Sequence, residues 1–458
     1  MKKVHPYSKN QVLTGRVIDL THEGLGVVKI DHYPFFIADS LPGEFIEFKV
    51  VKTGKKFAYG KLLKLIEASP DRVDIRDDLG RQNGSLTLQH LAYPAQLAFK
   101  AKLVRDNFER IGHFNQVQVQ PTWGMADPWG YRNKAQIPVQ EVKGQLETGF
   151  YRKNSHDLIP VEDFQIQDPR IDQVIRLVRD RLRDYQIPAY DEETHQGVIR
   201  YVIVKRGHYS GQIMVVLVTR QRDFDHKEAL VADLVKQIDG LVSLVQSINP
   251  KRTNVILGDQ TALLWGQEYY EDQMLGMTFR IAAQSFYQVN TPQAERMYEE
   301  VVRLAQLDGT QTVLDAYCGI GTISLALAQS AKKVYAMEIV PAAVEMARMN
   351  AQLNGIDRAV FEVGKAEDWL AKWNQAGIHF DVVVVDPPRK GLDPSFVQAL
   401  IQQDPDRIVY VSCNPSTQAR DCQLLNQAGY EIRHIQPVDL FPQTVHVECV
   451  VLMSRKDK

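Results

Sequence analysis

Asp381-Val382-Val383-Val384-Val385-Asp386 is the stretch that most restricts how this chain can fold. Four consecutive β-branched residues bounded by charge cannot lie on a half-solvated surface, because alternate side chains of a strand point to opposite faces. Such a strand must be covered on both sides, which is the condition of a parallel sheet flanked by helices. The neighbouring sequence repeats the pattern. Val313-Leu314-Asp315-Ala316 runs into Tyr317-Cys318-Gly319-Ile320-Gly321-Thr322 and then into a helical stretch from Ile323 to Ala328. Val334-Tyr335-Ala336-Met337-Glu338 precedes a helix that starts at Pro341 and stops at Gly355, with proline at the first turn and glycine past the last. Arg407 to Ser412 is a further apolar strand. From about residue 277 the chain therefore reads as a doubly wound α/β sheet, a fold that places ligands at the carboxyl ends of its strands.

The chemistry-bearing residues fall at those ends. Gly319-x-Gly321 alone is a weak signal, and the third position of a dinucleotide fingerprint is occupied by Ser324. Glu338 ends the next strand, twenty-three positions beyond Asp315, where an acid can hydrogen-bond a ribose diol. A short loop beside Asp315 suits a cationic adenosine ligand without a pyrophosphate, a description met by S-adenosylmethionine. Asp386-Pro387-Pro388-Arg389 follows the valine strand, and its prolines hold the backbone extended. It reads either as a simple strand stop or as a contact to the donor or the target base. Ser412-Cys413-Asn414-Pro415 ends a strand and starts a helix, with Asn414 as N-cap and Pro415 as the first helical residue. The positive helix end is expected to favour the Cys413 thiolate, although a cysteine there can also be core filler. Glu448 lies in Thr444–Leu452, which reads as a late strand. An acid buried in such a strand has a raised pKa and suits a proton acceptor, or else serves as an ion-pair partner.

The rest of the chain looks different. Residues 1–68 alternate short apolar runs with turn signals, as in a small barrel, and hold 11 Lys and Arg against 7 Asp and Glu. The whole chain of 458 residues has net charge −2, so this module is locally basic and a candidate RNA platform. Residues 69–276 read as a mixed α+β domain, with a helix over 94–111 that can pack on the domain formed by 277–458. Tyr131-Arg132-Asn133-Lys134 combines an aromatic with cations suited to bases and phosphates. The four cysteines follow no disulfide or metal spacing, no apolar run reaches membrane-span length, and the first residues lack a signal-peptide core. A cytoplasmic monomer with no membrane partner and no metal is expected.

Asp315–Thr322, Asp386-Pro387-Pro388-Arg389-Lys390-Gly391, Val411–Pro415 and His446-Val447-Glu448 together resemble the motifs of the RNA uracil-C5 methyltransferases. The amino-terminal β-module is similar to an OB-like TRAM barrel, so the resemblance spans nearly the whole chain. It implies a Rossmann-like methyltransferase domain with S-adenosyl-L-methionine as donor, contacted by Gln288, Tyr317, Glu338 and Asp386, with Asp315 and Gly319 beside them. It implies Cys413 as nucleophile, Glu448 as base, and Tyr131, Arg132, Lys134 and Phe286 near the RNA. Members that carry an iron–sulfur cluster have cysteines before a Gln-His pair. Here Gln82 to His90 contains none, so no cluster is expected, as in cluster-free members acting on 23S rRNA. A tRNA substrate, an RNA amino-methyltransferase and a non-catalytic RNA-binding assembly factor are the competing readings.

Overall fold

The computed structural model describes residues 7–456. The first strands, Val12–Leu20, Gly26–Ile30, Tyr33–Ile37, Phe45–Thr53 and Ala58–Glu67, close into a five-stranded barrel. Its interior is Val17, Val28, Phe35, Ile37, Ile46, Phe48, Val50 and Ala58, the inward half of each alternating strand. A buried Glu44 accepts from the Arg72 side chain and ties the barrel to the segment that follows it. At the turn before Gly26, a Cβ on Gly24 (φ 75°) would lie 3.0 Å from a Val445 methyl, so the barrel turn packs on the segment leading to Glu448.

A central seven-stranded sheet follows, in the order Gln260–Gly266, Leu241–Ile248, Ile213–Thr219, Ile199–Arg206, Lys134–Val142, Gln145–Tyr151 and Leu158–Pro160. Helices Pro169–Asp184 and Lys227–Gln237 cover one face. The boundary expected at 276 falls in the turn of a hairpin, Tyr269–Met274 paired with Met277–Ala282. Tyr270, Met274, Phe279 and Ile281 of this hairpin share one apolar core with Met214 and Val216 of the central sheet and Val334 and Val384 of the last sheet. Apolar packing is continuous there, so no exposed linker marks the transition.

The last sheet has the order Ala359–Val363, Lys333–Glu338, Thr312–Ala316, Val382–Val385, Arg407–Ser412, Glu448–Arg455, Tyr430–Val438. Its first five strands are parallel, and Glu448–Arg455 runs against both of its neighbours. The four valines are fully buried, as their pattern demands. This is the expected α/β fold. One late element differs: the strand expected over Thr444–Leu452 begins only at Glu448. Pro442 cannot donate to a ladder, and the Thr444 hydroxyl takes the His446 N–H at 3.1 Å, so the preceding residues turn instead.

Helix Tyr93–Arg110 explains how that turn is held. Its buried residues Gln96, Lys100, Val104 and Phe108 recur every four positions and form one stripe. Val104 and Phe108 enter the core of the last sheet. Gln96 hydrogen-bonds the Gln443 side chain, and Lys100 pairs with Asp439 while donating to the Phe441 carbonyl at 3.1 Å. Lys100 and Asp439 are both fully buried. Lys100→Met therefore leaves a buried carboxylate with only the Tyr93 hydroxyl on its side chain, and is expected to lower stability by about 3–5 kcal/mol. Urea unfolding reads this loss, and adding Asp439→Asn is expected to restore part of it.

Candidate active site

Register decides which side chains meet. Val385 pairs with Ala316 on one side and Tyr410 on the other, and Ala316 pairs with Met337. The residues that follow these positions, Tyr317, Glu338 and Asp386, consequently emerge along one edge of the sheet. Because Glu448–Arg455 is antiparallel, its beginning lies at the same edge. Ser412 pairs with Cys449, so the next step outward sets Cys413 opposite Glu448. A cavity of about 1180 Å³ opens here, lined by Cys413, Glu448, Asp386, Glu338, Tyr317, Gly319, Gln288, Phe286, Arg132 and Lys134.

The Cys413 junction is held by local hydrogen bonds. The Ser412 hydroxyl accepts the Asn414 N–H at 3.0 Å, and the Asn414 side chain caps the Ser416 N–H at 3.2 Å. The Asn414 amide also donates to the Arg389 carbonyl at 2.9 Å, and Thr417 donates to the same oxygen at 3.3 Å. These bonds fasten the loop after Asp386-Pro387-Pro388 to the start of helix Pro415–Gln427 and bring Arg389 beside the thiol.

Electrostatics correct one expectation. Burial, with the nearby Glu448 and Asp386 carboxylates adding to it, pushes the Cys413 thiol up to about 11, against the lowering influence of Arg389. The helix start alone does not make a thiolate in the ligand-free cavity. Burial, helped by Asp386, also pushes Glu448 up to about 8, and burial pushes Asp386 up to about 7. Unfolded carboxyls titrate near 4. Between about pH 4 and 8 the folded protein thus keeps protons that the unfolded chain has lost, so this cluster makes stability fall as pH rises. Thermal unfolding of the ligand-free protein from pH 5.5 to 8 is expected to fall less steeply in Glu448→Gln, and an unchanged slope would refute the assignment.

The other half of the cavity is built from backbone. Tyr317 has a positive φ of 70° and donates its N–H to the Met337 carbonyl at 3.1 Å. Glu338 accepts from the Gly319 N–H at 3.3 Å and the Val340 N–H at 3.0 Å. At Gly321 (φ 88°) a Cβ would crowd Phe361 at 3.2 Å, whereas at Gly319 it would meet nothing within 4 Å. The Gly319 backbone is thus open to a ligand. This surface, with carboxylates at Glu338 and Asp386 and apolar atoms of Met337, Ile339 and Ala366, fits a cationic adenosine ligand.

Gln288 and Phe286 lie between the hairpin and helix Thr291–Ala305. The buried Asn133 amide donates to the Gln288 carbonyl at 2.9 Å and the Thr291 hydroxyl at 3.0 Å. The buried Lys205 ammonium donates to the Ala282 and Ser285 carbonyls at 2.9 and 3.2 Å. Phe286 itself is 64% exposed.

Two expected site residues stay outside the lining. Tyr131 is buried among Leu86, Val161 and Phe164, and its hydroxyl donates to the Pro442 carbonyl at 3.1 Å. Its apolar body favours that core over a solvated base-stacking position. Asp315 is 1% exposed and accepts from the Ser324 hydroxyl. Conversely, sequence reasoning did not single out Thr87, Phe441 and His446, which line the cavity. No local motif marks Thr87 or Phe441, and His446 enters only as the first residue of the His446-Val447-Glu448 motif, with no role of its own.

A family model described as tRNA (Uracil-5-)-methyltransferase matches residues 92–456. The chain belongs to this family. It is an RNA (uracil-5-)-methyltransferase that depends on S-adenosylmethionine. It is 52% identical to an uncharacterized RNA methyltransferase of Enterococcus faecalis, over 99% of each chain. It is 50% identical to one of Lactiplantibacillus plantarum, over 100% of each. Among solved structures it is similar to the Pyrococcus abyssi tRNA (uracil-54, C5)-methyltransferase in complex with S-adenosyl-L-homocysteine. That likeness has a TM-score of 0.77 and 28% identity, and covers 96% of this chain and 100% of the other.

Proposed function

We propose that this enzyme methylates C5 of a uridine in RNA through a covalent adduct, with Cys413 as nucleophile and Glu448 as proton acceptor. The observation that carries the reading is the ladder register that sets Cys413 opposite Glu448 at the cavity that also holds Glu338 and Asp386. Uracil C5 is too weak a nucleophile to be methylated directly. Addition of the Cys413 sulfur to C6 moves the C5–C6 π electrons toward O4 and makes C5 an enolate carbon. When bound, S-adenosylmethionine supplies an electrophilic methyl group on a cationic sulfur, a charge that Asp386 and Glu338 complement. The enolate electron pair would form the C5–methyl bond as the methyl–sulfur bond breaks, its electron pair remaining on the now neutral sulfur of the departing S-adenosylhomocysteine. Glu448 then takes the C5 proton, the freed pair restores the C5–C6 double bond, and the Cys413 sulfur leaves as thiolate. Arg389 stabilises that thiolate before addition and after release. The Cys413 proton passes to solvent before addition, and Glu448 acts as the carboxylate, the form that can accept the C5 proton.

On this reading Gln288, Tyr317, Gly319, Glu338 and Asp386 hold the donor, with Asp315 bracing the first loop through Ser324. Arg132, Lys134 and Phe286 face the RNA, and the target uridine leaves its stack to enter the cavity. The division into residues 1–68, 69–276 and 277–458 then assigns RNA holding to the first two parts and chemistry to the third, in a cytoplasmic monomer. The likeness to cluster-free rRNA enzymes supports 23S rRNA as substrate, and the likeness to a tRNA uridine-54 enzyme supports tRNA equally. The deciding experiment incubates the protein with labelled donor and either 23S rRNA or tRNA transcripts, then digests each to nucleosides. 5-Methyluridine in one of them identifies the substrate, and label in any other nucleoside contradicts the reading.

A further inference from the structure

Strand pairing sets Lys134 directly opposite Lys205 on neighbouring antiparallel strands. Like charges in that position weaken a sheet. Lys134 lines the cavity with Arg132, whereas Lys205 is only 3% exposed. The charge acting on Lys205 is that of Lys134, and the charge acting on Lys134 is that of Arg132, with no carboxylate on either. On its other side Lys205 pairs with Met214. The Lys205 ammonium is taken up by the turn that ends the hairpin, where it donates to the Ala282 and Ser285 carbonyls at 2.9 and 3.2 Å. That turn is closed by the Ser285 N–H on the Ala282 carbonyl at 3.1 Å and the Ala282 N–H on the Ser285 hydroxyl at 3.3 Å. Asn133, between the two outer cations, fastens the far end of the same segment. Its N–H donates to the Val289 carbonyl at 2.8 Å and its amide to the Gln288 carbonyl at 2.9 Å. Phe286 and Gln288 reach the cavity from the span between these two fastenings.

We infer that Lys205 is a positioning residue: it fastens the 282–285 turn, sets Phe286 toward the RNA and Gln288 toward the donor, and so makes the two substrates tighten each other's binding. A buried ammonium without a carboxylate is costly to fold, and an apolar side chain of similar length would cost less. What the ammonium supplies is the hold on the turn. Burial, with Lys134 adding to it, pushes the Lys205 ammonium down to about 7, so its charge is weakly held in the ligand-free protein. A phosphate at Arg132 and Lys134 offsets the repulsion and keeps Lys205 charged, and a charged donor bonds a carbonyl more strongly than a neutral one. Gln288 is then in place before the donor arrives, and by linkage the donor favours RNA binding by the same factor. This role rests on the reading of Arg132, Lys134 and Phe286 as RNA contacts and of Gln288 as a donor contact.

The test measures binding of tritiated S-adenosylhomocysteine to the full-length protein by equilibrium dialysis, without RNA and with a saturating tRNA or 23S rRNA transcript. In the unsubstituted protein one of the transcripts is expected to tighten binding about tenfold, within the usual range for coupled sites. Lys205→Met is expected to reduce that factor to within about twofold, and to unfold at no lower temperature than the unsubstituted protein. In steady-state methylation the variant is expected to raise the KM for the donor about tenfold and to keep kcat within about threefold, because Cys413 and Glu448 are held by other strands. A residue that only filled the core would change thermal stability and kcat and leave the coupling factor intact. An unchanged factor in Lys205→Met, or a lowered kcat with an unchanged KM, therefore overturns the inference. So does a factor near one with both transcripts in the unsubstituted protein, a result that does not depend on how the variant folds. 5-Methyluridine formed with a factor insensitive to Lys205 sinks this inference alone. A factor lost in Lys205→Met without any 5-methyluridine sinks the catalytic reading alone.

Discussion

Glu448→Gln accumulates a covalent protein–RNA complex. The amide keeps the shape of the carboxyl and cannot accept the C5 proton, so the reaction proceeds through sulfur addition and methyl transfer and then stalls. Multiple turnover is expected to fall by about 10²–10⁴, the range for removing a positioned general base. A single round of methyl transfer stays detectable, with label and RNA migrating together with the protein on a denaturing gel. The position of the side chain makes this specific. Glu448 is the first residue of its strand, one step outside the pair formed by Ser412 and Cys449, and is buried beside Asp386 and Arg389. A residue that only completed the fold would lower complex formation and turnover together.

Cys413→Ala has the larger effect. Without the sulfur, C5 is not activated, and methylation is expected to fall by about ten-thousand-fold or more, as when a covalent nucleophile is removed elsewhere. Donor binding measured by calorimetry is expected to hold, because Glu338, Gly319 and Tyr317 are held by their own backbone hydrogen bonds. The Ser412–Asn414–Arg389 bonds involve no Cys413 side-chain atom, so the junction keeps its shape. Full activity of this variant would instead favour amino-methyl transfer, which needs no thiol.

The parts of the molecule legible from sequence are those in which local pattern and burial agree. The four valines at 382–385 could only be an interior parallel strand, and Asn414-Pro415 could only begin a helix on the exit of another. The barrel was legible because its turns are marked by glycine and proline. What was not legible depends on contacts between distant segments. Tyr131 reads as a base-stacking aromatic until Leu86, Val161 and Phe164 close over it. The start of the last strand depends on helix Tyr93–Arg110, whose Gln96 and Lys100 hold the turn more than three hundred residues away in sequence. The protonation of Cys413 was misjudged because a helix start is local, whereas Glu448 and Asp386 arrive from other strands. The transition near residue 276 was placed in a hairpin turn because a shared apolar core has no compositional edge.

The central claim is that Cys413 bonds to the base. The most direct measurement is intact-mass analysis of the unsubstituted protein after incubation with S-adenosylmethionine and RNA containing 5-fluorouridine. Fluorine cannot leave C5 as a proton does, so the cycle halts after methyl transfer. The predicted result is a complex whose mass equals protein plus RNA plus one methyl group, with digestion placing the linkage on Cys413. Methylated RNA recovered free of protein, or a linkage mapped to another residue, would contradict it.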